Sequence, residues 1–60
     1  MSKKTIEDYL DSADEEAESA NYTVLAGLSW VLFGELKDLV DEQHHLTLAK
    51  NISKTIIAQI

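Results

Sequence analysis

Apolar residues recur along this chain at helical spacing. The first series is Ile6, Leu10, Ala13, Ala17 and Ala20, at steps of four, three, four and three, the spacing of one face of an α-helix. It predicts a helix over residues 5–20. Thr5 stands where an N-cap belongs, with Asp8 three residues on in place of the glutamate of a capping box. The outer part of the stripe is alanine alone. Small side chains allow close approach of a second helix, but so thin a stripe also predicts that this helix is weakly held and ordered by a partner.

The second series is Leu25, Leu28, Leu32, Leu36 and Leu39, with Val24, Trp30, Val31 and Phe33 spreading apolar character around the remaining sides. A helix is expected over 23–44, capped by Asn21 or Thr23. A helix apolar all round has to be buried on several sides, so its first half is expected at the centre of the core, with Leu25, Leu28, Trp30, Leu32, Phe33 and Leu36 in the core or in a self-association surface. Gly27 and Gly34 are seven residues apart. On a continuous helix they share a face, and each costs about 1 kcal/mol against alanine, which a tightly crossing neighbour would offset. The alternative is a kink or break at Gly34.

The third series is Leu48, Ile52, Ile56 and Ile60 at steps of four. It predicts a helix over 47–60, capped by Thr47 after a short break at 44–46, with Ile52 and Ile56 in the core. There is no proline, and the only glycines are Gly27 and Gly34, so the punctuation of a strand-rich protein is missing. The fold class is therefore all-α. The pattern gives a small bundle of two to three helices in a single domain over 1–60, with residues 1–4 as a flexible N-terminus.

Length changes this picture. A chain of 60 residues buries only about 60% of the surface its unfolded form exposes, and a core of that size rarely supplies more than ~3–5 kcal/mol. Cysteine is absent, which removes disulfides and thiolate metal sites as reinforcement. Self-association remains, and a homo-oligomer, in the simplest case a homodimer, is expected to complete the bundle. The start of the chain is polar, without the apolar stretch of a secretory signal. The longest nearly apolar run, 24–34, is half the ~20 residues of a membrane span. The expectation is a cytoplasmic protein without a membrane segment.

Charge narrows the partners. Five lysines and eleven carboxylates leave a net charge of −6, and there is no arginine. Such a chain repels nucleic-acid phosphates and anionic lipids over a Debye length of ~8–10 Å, and it lacks the side chain most used for bidentate phosphate and guanine contacts. Direct nucleic-acid binding is not expected. The acidity is concentrated in Glu7, Asp8, Asp11, Asp14, Glu15, Glu16 and Glu18, with no lysine from Thr5 to Leu36. Glu7 with Asp11, Asp11 with Glu15 and Asp14 with Glu18 form like-charge pairs at i,i+4, each unfavourable by about 0.2–0.5 kcal/mol.

Interspersed lysines would give solubility without that repulsion. The cluster therefore suggests a docking face, made of Glu7, Asp8, Asp11, Asp14, Glu15 and Glu18, for a protein partner with a basic surface. If that partner binds nucleic acid, the carboxylates stand where phosphates would. The plainer alternative is a solvated face on a structural homo-oligomer, with Lys50 and Lys54 as the internal groups available to neutralise it.

Catalytic chemistry finds little support. Ser12, Ser19, Ser29 and Ser53 lack a nucleophile elbow or a base at recognisable spacing, and no enzyme activity or cofactor is expected. Asp41, Glu42 and His45 include a Glu-x-x-His pair, the spacing of ligands in ferritin-like di-metal bundles. Those sites need further carboxylates from other helices, so a metal-binding protein is the remote alternative. A role for His44 and His45 at a helix end, bonding carbonyls, accounts for them more simply.

Overall fold

The computed structural model describes residues 4–60, which form three α-helices joined by turns and two short 3₁₀ segments. Helix α1 spans Ile6–Ser19, α2 spans Leu28–Leu36 and α3 spans His45–Ala58. The small all-helical fold is the one the hydrophobic periodicity predicts. The flexible N-terminus expected over 1–4 lies, apart from Lys4, outside the described residues. Lys4 itself places its ammonium 5.4 Å from the centre of the Tyr9 ring.

Helix α1 begins where its sequence says it should. The Thr5 hydroxyl accepts from the Asp8 N–H at 3.2 Å, and the Asp8 carboxylate accepts from the Thr5 N–H at 2.9 Å, a reciprocal box that satisfies two otherwise orphaned donors. The helix ends in a Schellman motif. Asn21 takes the left-handed conformation at φ 62°, its N–H donates to Glu18 O at 3.1 Å, and the Tyr22 N–H reaches back to Ala17 O at 2.8 Å. Asparagine is the side chain after glycine that best tolerates this backbone.

Asn21 therefore closes the first helix and does not cap the second. Residues 22–26 form an isolated turn, with Tyr22 O accepting from the N–H groups of Leu25 and Ala26. Gly27, at φ 82°, turns the chain into α2. This corrects the expected second helix of 23–44 at both ends. Gly27 lies before the helix, where its positive φ needs glycine, and only Gly34 is helical.

At the other end α2 gives way at Lys37 to a 3₁₀ segment over Lys37–Leu39, extended backbone at Val40 and Asp41, and a second 3₁₀ segment over Glu42–His44. Helix α3 follows at His45 without a side-chain cap, so Thr47 does not start it. The expected break is real, and it occupies 37–44 instead of 44–46.

The centre of the molecule is the contact between α1 and α3. Leu10 and Ala13 from α1 meet Ala49, Ile52 and Ile56 from α3 in one buried cluster, and Ala17 is buried one turn further along α1. The alanines that made the first stripe seem a weak hold are what let the two helices approach closely, so α1 is a principal member of the core. Helix α2, expected at the centre, lies on α3 and to a smaller extent on α1. Leu25, Leu28, Leu32 and Phe33 pack against the buried cluster as half-buried residues. Trp30, at 41% exposed, and Leu36, at 36%, stay outside it. With only three helices and a thickness of 15 Å against 33 and 30 Å in the other directions, there is no second layer to cover the outer side of α2.

Ser29 faces the core as the buried polar residue of α2. Its hydroxyl donates to Leu10 O at 3.1 Å, which meets the hydrogen-bonding requirement of a buried hydroxyl and fixes α2 against α1.

Candidate functional site: the acidic face of the first helix

The face of α1 opposite Leu10, Ala13 and Ala17 carries its charges. Glu7, Asp11, Glu15 and Glu18 are all exposed. At 3.6 residues per turn they cover one side of the helix and, at 1.5 Å per residue, span about 16 Å along its axis. Glu16 is also exposed, toward the flank. Core packing requires this orientation: with the alanine stripe committed to α3, the remaining side of the helix can only face water.

Two members of the expected docking face are engaged elsewhere. The Asp8 carboxylate is held in the capping box at Thr5. Asp14 is half-buried, and its carboxylate accepts the Gly27 N–H from thirteen residues further along the chain. Here the carboxylate acts on the start of α2, where free N–H groups and the positive end of the helix dipole favour a negative group. The face left open consists of Glu7, Asp11, Glu15 and Glu18. Among the described residues no ion pair joins these carboxylates to Lys50 or Lys54, which are exposed on α3. The last turn of α1 contains no basic residue.

The histidine and carboxylate segment is arranged differently. The His45 Nε2 lies 2.8 Å from Lys37 O and 3.2 Å from Val40 O, a geometry in which Nε2–H donates to backbone carbonyls at the two ends of the 3₁₀ segment that follows α2. Its ring stands edge-on to Phe33, with centroids 5.8 Å apart. The helix-end role read from the sequence is thus the one His45 performs, and it closes the corner between α2 and α3. Asp41, Glu42 and His44 are exposed around it. Among the described residues no group of three or more histidine, cysteine, aspartate or glutamate side chains is placed to hold a metal ion.

The remaining hydroxyls and surfaces offer little enclosure. Ser29 is committed to Leu10 O, and the described residues form no pocket. Among them, no helix is long and apolar enough to cross a membrane. Sequence reasoning missed the inward turn of Asp14. A hint was present in its position: it sits nearer the Leu10–Ala17 stripe than its acidic neighbours do on a helix, but nothing local names Gly27 as its partner. Compared with models of known protein families, with curated proteins and with solved structures, the chain matches none.

Proposed function

We propose that this chain is a non-enzymatic binding module, regulatory or inhibitory in action, that presents the outer face of α1 to a basic site on a partner protein. The observation that carries this reading is the rigid mounting of Glu7, Asp11, Glu15 and Glu18. They are exposed on a helix capped at both ends and packed on α3 through buried residues, and they have no internal counter-charge among the described residues. Opposed charge of this kind accelerates encounter and selects against partners of the wrong sign. A basic site that ordinarily holds nucleic acid is one such partner, with the carboxylates occupying the positions of phosphates.

The test is affinity capture from the source cell at low and at high salt, using the wild-type chain and a variant carrying E7Q, D11N, E15Q and E18Q. None of these side chains touches the core, so circular dichroism should show the variant folded. The expected result is a basic partner retained at low salt, released at high salt and lost with the variant. Retention of the same partner by the variant at high salt refutes the reading.

A further inference from the structure

We draw no further inference here: the strongest candidate, the exposed apolar patch around Trp30 and Val31 on the outer side of α2, carries nothing because nothing in the structure shows what covers it.

Discussion

Replacing Asp14 by alanine separates the structural carboxylate from those that only face water. The Asp14 carboxylate accepts the Gly27 N–H in a half-buried setting. A hydrogen bond to a charged group contributes about 1.5–3 kcal/mol, with the lower end appropriate where water has partial access. Removing the charge also relieves the repulsion with Glu18 at i,i+4, which returns about 0.2–0.5 kcal/mol. The net loss expected is about 1–2 kcal/mol. For a domain of this size each kcal/mol moves the melting temperature by roughly 4–8 °C, so D14A should melt about 10 °C below the wild-type chain. Against a total of ~3–5 kcal/mol the loss is large.

Glu15, one residue away and fully on the outer face, gives the opposite expectation. E15A removes the repulsion with Asp11 and touches no core atom, so its melting temperature should equal or slightly exceed the wild-type value. D14N keeps an acceptor oxygen without the charge and should fall between. The assay is thermal unfolding followed by circular dichroism at 222 nm, at one protein concentration throughout, because association would raise the apparent stability. Equal melting temperatures for D14A and E15A would refute the assignment of Asp14 to the start of α2.

Two further substitutions test the frame around that contact. Leu10 is fully buried and is the largest such hydrophobic side chain. L10A should cost about 3–5 kcal/mol, enough to leave most of the chain unfolded, and a cooperative transition within about 1 kcal/mol of wild type in urea would contradict the placement of the core between α1 and α3. At Asn21, with φ 62°, alanine should cost about 1–2 kcal/mol and glycine little or nothing. Denaturation that ranks N21A above N21G would remove the Schellman closure.

Much of this fold was legible because its signals are local. The Thr5 cap, the stripe of α1, the stripe of α3 and the outward direction of the acidic residues all depend on neighbours within about four positions, which is the range over which helix geometry relates one side chain to the next. The candidate face was legible for the same reason: once Leu10, Ala13 and Ala17 face inward, Glu7, Asp11, Glu15 and Glu18 must face outward. Residues 21–27 were misread because apolar spacing continues through Leu25 and Leu28 even though the backbone does not. The left-handed residues Asn21 and Gly27 interrupt the helix there, and periodicity of side chains is blind to the sign of φ.

What the sequence by itself determined is therefore the helical class, the two stripes that become the α1–α3 core, and a strongly acidic surface on the first helix. The tertiary structure decided which helix lies at the centre, where α2 starts and ends, and which carboxylate turns inward. Those outcomes rest on contacts between distant positions: Asp14 with Gly27, Ser29 with Leu10, and His45 with the carbonyls of Lys37 and Val40. Each joins a side chain to a backbone group that almost any residue could supply, so the partner leaves no mark in the sequence and is fixed only when the helices pack.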